Sequence, residues 1–235
     1  MPIRSDVAYL LHRRAYGNTS LLVDIFSLNH GRFPAIAKGA RAAKRGASGL
    51  LQPFSPLQVD WSGNGEVKTL RRFERAGEAT SSRIALDGSR LYCGFYINEL
   101  LARLLPRDDA HAGLFGFYQQ TLVALSDNDD IELALRRFEL GLLDQLGHRV
   151  NLETTLNGEP LVDEGHYLFS NGAGALACKA GTAGACRGRT LLGLGRGEFA
   201  DAEARGEAKR LLRRILGYHL DGRPLKSREL FGHNR

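Results

Sequence analysis

The sequence predicts a two-part protein, an N-terminal five-stranded barrel of the OB type followed by a mainly α-helical domain. Three observations predict it. Five strand-like runs, set off by turn residues, fall within the first 75 or so residues. From Gly88 the apolar period lengthens to that of a helix. Charge is also segregated: residues 1–75 hold 12 Lys+Arg against 5 Asp+Glu, residues 76–204 hold 11 against 18, and residues 205–235 hold 9 against 3. Two basic ends flank an acidic middle, which suits an anionic partner touching both ends.

In chain order, Ala8 to Arg13 and Ser20 to Leu28 read as strands, joined by the turn Ala15-Tyr16-Gly17-Asn18. Asn29-His30-Gly31 turns the chain into a third strand, Phe33 to Lys38. Pro34 inside it has no N–H to give a ladder, so that strand is short, bulged or at an edge. Gly39 to Gly49 carries Arg41, Lys44 and Arg45 and no apolar side chain larger than Ala. Such a segment buries too little to fold on itself and is expected to be a mobile cationic loop. Leu57, Val59 and Trp61 alternate with Gln58 and Asp60 as a half-buried strand, Ser62-Gly63-Asn64-Gly65 turns, and Glu66 to Phe73 returns with Lys68, Arg71 and Arg72. Five strands fit an OB barrel, with an SH3-like barrel as the alternative.

Ala76 to Asp87 reads as the connection, giving domains 1–78 and 79–235. Leu91, Phe95, Leu100, Leu101 and Leu104 share a helical stripe that Pro106 ends. Leu114, Tyr118, Thr121, Leu122 and Leu125 define a second helix. The third has Asp129 as its cap, Glu132 in capping-box spacing, Ile131, Leu135, Phe138, Leu142 and Leu146 as its stripe, and Gly147 as its stop. Residues 151–200 are Gly/Ala-rich and are expected to be loops with one short hairpin or helix. Ala208, Leu211, Leu212, Ile215, Leu216 and Leu220 form a last amphipathic helix. A basic tail, Lys226-Ser227-Arg228-Glu229-Leu230-Phe231, follows.

The candidate site is a set of cations: Arg13, Arg14, Lys38, Arg41, Lys44, Arg45, Lys68, Arg71 and Arg72, with Lys226 and Arg228 from the tail. Their plain alternative is a solvated surface. As a site they would neutralise phosphates with counterion release, largely indifferent to sequence. Phe33 and Phe54 are candidates to stack bases. Trp61, in a clean alternating strand, suits the core better. An RNA-binding OB module remains open beside a DNA-binding one. So does a nucleotide-dependent enzyme using Gly172-Ala173-Gly174-Ala175-Leu176-Ala177, although no βαβ unit surrounds that weak fingerprint. Walker A, Gly-x-Ser-x-Gly and HExxH motifs are missing, so no catalytic residue or cofactor is expected. Cys178 and Cys186 stand too far apart for paired zinc ligands, and no metal is expected. No long apolar run or signal-like segment is seen, so a cytoplasmic location is expected.

Several runs resemble the RecO family of bacterial recombinational repair proteins. They are Gly39-Ala40-Arg41, Leu51-Gln52-Pro53-Phe54-Ser55-Pro56-Leu57, Gly65-Glu66-Val67-Lys68-Thr69-Leu70, Tyr96-Ile97-Asn98-Glu99-Leu100-Leu101, Ala134-Leu135-Arg136-Arg137-Phe138-Glu139-Leu140, and Pro224-Leu225-Lys226-Ser227-Arg228-Glu229-Leu230-Phe231. The resemblance implies an OB domain and a helical domain, binding of single- and double-stranded DNA, and annealing of complementary strands. It also implies a mediator role in which, with RecR, the protein helps RecA load on SSB-coated single strands. The acidic SSB tail ends in a phenylalanine carboxylate, so it needs an apolar slot with a guanidinium at its mouth. Arg136 and then Arg137 are the candidates, near Phe115, Tyr118 or Leu104. Their plain alternative is ion pairing with Glu132 or Glu139. Unlike some members of that family, this chain has no four-cysteine zinc module.

Overall fold

The computed structural model describes residues 3–42, 47–77, 84–127, 130–170 and 174–231. Five strands form the N-terminal barrel: β1 (Arg4–Tyr16), β2 (Ser20–Ser27), β3 (Gly31–Ala37), β4 (Leu57–Ser62) and β5 (Lys68–Arg75). Their order is β1-β2-β3-β5-β4, closed by β4 pairing back on β1. The β3–β5 pair is parallel and the other pairs are antiparallel. That Greek-key closure is the OB connectivity, and it sets aside the SH3-like alternative, a meander without the parallel pair. Pro34 lies opposite Asp24 on β2, while pairing with β5 begins only at Ala35. The proline therefore sits where β3 has a neighbour on one side only, and its missing N–H costs no bond on the other.

One inward row runs around the barrel: Ala15 opposite Leu21, Leu21 opposite Ala37, Ala37 opposite Leu70, and Leu70 opposite Trp61. Ala8, Leu10, Val23, Ile25, Phe33, Leu57 and Val59 fill the rest of the interior, with Leu51 among them. Leu51 follows the short helix α1 (Ala47–Leu50).

β1 is buried on both faces between Ala8 and Leu11. Leu10 pairs with Ile25 and His12 with Asp24, so Leu11 is an extra residue in a bulge. The bulge turns Leu10 into the barrel and leaves Leu11 on the outside. There the outward Tyr9 and Phe26 pack against Phe115 and Tyr118 at centroid distances of 5.1–6.2 Å. Those two aromatics belong to α3 (Ala112–Ser126), which follows α2 (Gly88–Leu104). Asn98 of α2 donates to the Leu11 carbonyl at 3.1 Å and accepts from the Tyr118 hydroxyl at 2.6 Å. Gly31 lets the loop after α2 approach β3, since a Cβ there would lie 1.8 Å from the Asp109 carbonyl oxygen.

By packing, the chain forms two compact units, residues 1–128 with 225–235, and residues 129–224. The sequence placed a boundary at residue 78; the contacts keep α2 and α3 with the barrel. The basic tail returns to this first unit as a 3₁₀ helix, Lys226–Phe231. Glu99 of α2 accepts from the amides of Lys226 and Ser227 and from the Ser227 hydroxyl, at 2.7–3.0 Å.

The second unit holds α4 (Ile131–Gln145), β6 (His166–Ser170), β7 (Gly174–Ala177), β8 (Cys186–Arg187), α5 (Gly188–Arg196) and α6 (Ala202–His219). Asp130 caps α4 by accepting from the Leu133 amide at 3.1 Å, in place of the expected Asp129, which lies outside the described residues. The Gly/Ala-rich segment is more ordered than expected. β7-β6-β8 make a three-stranded sheet and α5 a nine-residue helix, both packed on α6 or its neighbours.

Candidate nucleic-acid interface

The expected cations separate into a rim group and a set already engaged in the fold. Arg14 lies opposite Leu22 on β2, between the inward positions Arg13 and Ala15, so it points outward. The parallel pair Ala37–Leu70 is followed on both strands by an exposed cation, Lys38 and Arg71. Adjacent strands lie about 5 Å apart, so these two residues are neighbours. Arg41 is tied to the same end: its amide donates to Thr19 O at 2.8 Å and its guanidinium to Gly17 O at 3.0 Å.

A second bulge shapes β5. Asp60 pairs with Arg72 and Trp61 with Leu70, leaving Arg71 as the extra residue. Arg71 and Arg72 are therefore both exposed, which strict alternation forbids. Arg71 is steadied by donating from Nε to the Ser62 hydroxyl at 2.8 Å. Arg72 is less free, because Glu74 holds it at 2.7 Å. Arg14, Lys38, Arg41 and Arg71 thus form one basic rim, with Arg72 at its edge. Lys44 and Arg45 lie outside the described residues.

Lys68 and Arg13 are engaged in the fold. The Lys68 ammonium is buried, 2.9 Å from Asp108 and 3.0 Å from the Gly65 carbonyl. It fastens the loop after α2 to β5 and presents no cation to solvent. Arg13 lies opposite Val23 on the barrel-facing side of β1 and donates to the Leu51 carbonyl at 2.9 Å. The stacking candidates Phe33 and Phe54 are also occupied. Phe33 sits in the core 4.7 Å from Trp61, whose core place the strand alternation predicted, and Phe54 is buried against Phe95 at 5.4 Å. The aromatic that sequence reading passed over is Tyr16. Placed in a turn from the sequence, it ends β1 and is 51% exposed. Its signal was its spacing, two residues after Arg14 and hence on the same face of a strand.

The tail cations follow the chain back to the first unit. Lys226 is exposed and Arg228 half-buried. Lys226 lines a cavity of about 600 Å³ with Leu11, Phe95, Ala102, Arg103 and Leu230. Burial pushes the Glu99 carboxyl up. The bonds from Ser227 and Lys226 and the charge of Arg103, 2.8 Å away, outweigh this and hold it below the usual carboxylate value.

In the second unit Arg136 is buried and paired to the buried Glu139 at 2.7 Å, one of the two partners anticipated. Arg137 is exposed and donates to the Gly197 carbonyl at 3.3 Å. Phe115, Tyr118 and Leu104, named from the sequence as neighbours of these arginines, belong to the first unit. The basic face of α6 is partly engaged: Arg205 pairs with Asp130, and Arg214 donates to the Gly184 carbonyl. Cys186 is buried beside Glu207, and desolvation with that carboxylate pushes its thiol up to about 12. Among the described residues no three His, Cys, Asp or Glu side chains converge to hold a metal, and no helix is long and apolar enough to cross a membrane.

The comparisons with known proteins agree along nearly the whole chain. Residues 1–77 match the family model described as Recombination protein O N terminal, and residues 85–229 match Recombination protein O C terminal. The DNA repair protein RecO of Methylococcus capsulatus is 48% identical over 227 residues, 96% of this chain and 92% of that protein. That of Halorhodospira halophila is 43% identical over 228 residues, covering 95% and 94%. That of Yersinia pestis is 44% identical over 226 residues, covering 95% and 92%. Two family models in chain order, and relatives this similar over nearly their full length, place the chain in the recombination protein O, or RecO, family.

Proposed function

We propose that this protein is a non-enzymatic DNA-binding mediator of recombinational repair. It binds single- and double-stranded DNA, anneals complementary strands, and with RecR helps RecA load on single strands coated by SSB. It works in the cytoplasm, at the nucleoid. The observation that carries the reading is the basic rim of the OB barrel, Arg14, Lys38, Arg41 and Arg71, in a chain whose relatives are named DNA repair proteins. Guanidinium and ammonium groups at a rim neutralise successive phosphates and release counterions. Such contacts carry no base information, which suits a protein that must act on any sequence. Annealing needs the same property, since two strands are brought together only when their mutual repulsion is screened.

Lys44, Arg45, Lys226 and Arg228 are further DNA-contacting cations in the proposal, and Arg72 contributes at the edge of the rim. Arg137 on α4 receives the SSB tail, while its neighbour Arg136 is buried and held in the fold by Glu139. In support, Arg137 is exposed on α4. The test is competition between DNA and RNA single strands of matched sequence, together with an annealing assay. Preference for DNA and faster annealing support the reading. Preference for RNA with no annealing would replace it with an RNA-binding role.

A further inference from the structure

An aromatic residue stands at the basic rim with no packing to justify its exposure. Tyr16 is the last residue of β1 and pairs with Ser20 across the hairpin turn. Its predecessor Ala15 faces Leu21, which lies in the barrel core, so Tyr16 is on the outward face. Arg14 shares that face two residues away, about 7 Å along the strand. Arg41 grips the turn that follows through Gly17 and Thr19.

The other aromatics of the barrel strands are accounted for. Tyr9 and Phe26 lie under Phe115 and Tyr118, Phe33 and Trp61 fill the core, and Phe73 packs on that core. Among the described residues Tyr16 has no ring partner and keeps half of its surface in water. A lone exposed apolar side chain is ordinary. One flanked by Arg14 and Arg41 on a nucleic-acid-binding fold has the composition of a base-stacking platform, in which charge holds the backbone and the ring takes a base.

We infer that Tyr16 stacks an unpaired DNA base and makes the rim favour single strands over duplex. The inference rests on the DNA-binding reading above. In a duplex the bases are stacked on each other and offer no free face, so the ring gains nothing there, while phosphate contacts serve both forms. Tyr16 carries no charge, so its effect appears in affinity and leaves the salt dependence alone.

The test uses the full chain with oligo(dT) and a duplex of equal length, at two salt concentrations. Wild type is compared with Tyr16→Ala, Tyr16→Phe and Tyr16→Trp. Tyr16→Ala is expected to weaken oligo(dT) binding about fivefold to a hundredfold. Duplex affinity stays within about twofold and the salt slope is kept, while Tyr16→Phe and Tyr16→Trp retain oligo(dT) binding. Trp61, the one natural tryptophan, is buried, so Tyr16→Trp adds a solvent-exposed emission that stacking quenches. Equal loss of both ligands in Tyr16→Ala, an unchanged oligo(dT) affinity, or an unquenched Trp at position 16 overturns this inference and leaves DNA binding standing. A wild type that binds neither ligand overturns both.

Discussion

The guanidinium of Arg41 donates to the carbonyl oxygen of Gly17 at 3.0 Å, across 24 residues of chain. With the Arg41 amide on Thr19, this joins the start of the basic loop to the tip of the β1–β2 hairpin. Charge from two separate segments is thereby held at one end of the barrel. Gly17 takes a φ of 58°, which glycine adopts without the cost other residues meet, so its carbonyl stays in reach of Arg41.

Lys68 and Arg72 stand four residues apart on one strand and are expected to behave differently. Lys68→Ala removes a buried ammonium from Asp108. Because Asp108 is half exposed and regains water, the cost is about 1–2 kcal/mol, short of the full penalty for a broken buried pair. Arg72→Ala breaks a surface pair with Glu74 and costs less than about 0.5 kcal/mol. Urea denaturation measures both. DNA affinity responds in the opposite order, with only Arg72→Ala weakening it at constant fold.

Tyr118→Phe deletes the hydroxyl that satisfies Asn98 beneath β1. The Asn98 oxygen is then buried without its donor, and the expected loss is about 1–3 kcal/mol. Because the site lies away from the basic rim, oligonucleotide affinity of the folded variant is unchanged. A loss of stability below 0.5 kcal/mol in chemical denaturation, as an approximate threshold, would show that water reaches this oxygen.

Glu99 makes the anchoring of the C-terminal 3₁₀ helix depend on pH. Its carboxyl is held below its usual value of 4.5, so it contributes fully above that pH and loses its contribution as the pH falls through its folded value. Hydrogen exchange corrected for intrinsic rates should show protected Lys226 and Ser227 amides at neutral pH and weakened protection in acid. Glu99→Gln is expected to weaken protection at neutral pH and to flatten this dependence.

Arg136 and Arg137 separate folding from partner binding. Arg136→Ala breaks a buried ion pair with Glu139, at about 3 kcal/mol, so the melting temperature falls. Arg137→Ala sacrifices one long bond to Gly197 on an exposed side chain and leaves the melting temperature nearly unchanged. If α4 receives the SSB tail, Arg137→Ala weakens binding of the tail peptide in calorimetry and spares naked DNA. Unchanged peptide affinity in that variant moves the tail site elsewhere.

Much of the fold was legible because it is written in short-range pattern. Alternation at Leu57, Val59 and Trp61 marked β4, and the Leu211–Leu216 stripe marked α6. What escaped depends on distant partners. Lys68 looks like any outward strand cation until Asp108, 40 residues on, is brought to it. The docking of α3 on β1 was readable in principle, since the unbroken apolar run Ala8 to Leu11 signals burial on both faces. Bulges at Leu11 and Arg71 shift the face on which later residues fall, and strict alternation cannot register them. Phe54, in a positive-φ turn between two prolines, gave no periodicity from which to place its ring.

The most direct test of the central claim is the salt dependence of oligonucleotide binding in wild type and in an Arg14→Ala, Lys38→Ala, Arg41→Ala triple variant. Each phosphate neutralised on a single strand contributes about −0.7 to the slope of log affinity against log salt. A rim that engages phosphates through these three residues predicts a triple variant shallower by about 2, with its fold intact by circular dichroism. Equal slopes in the two proteins, or a wild type indifferent to salt, would contradict the claim that the barrel rim holds DNA by charge.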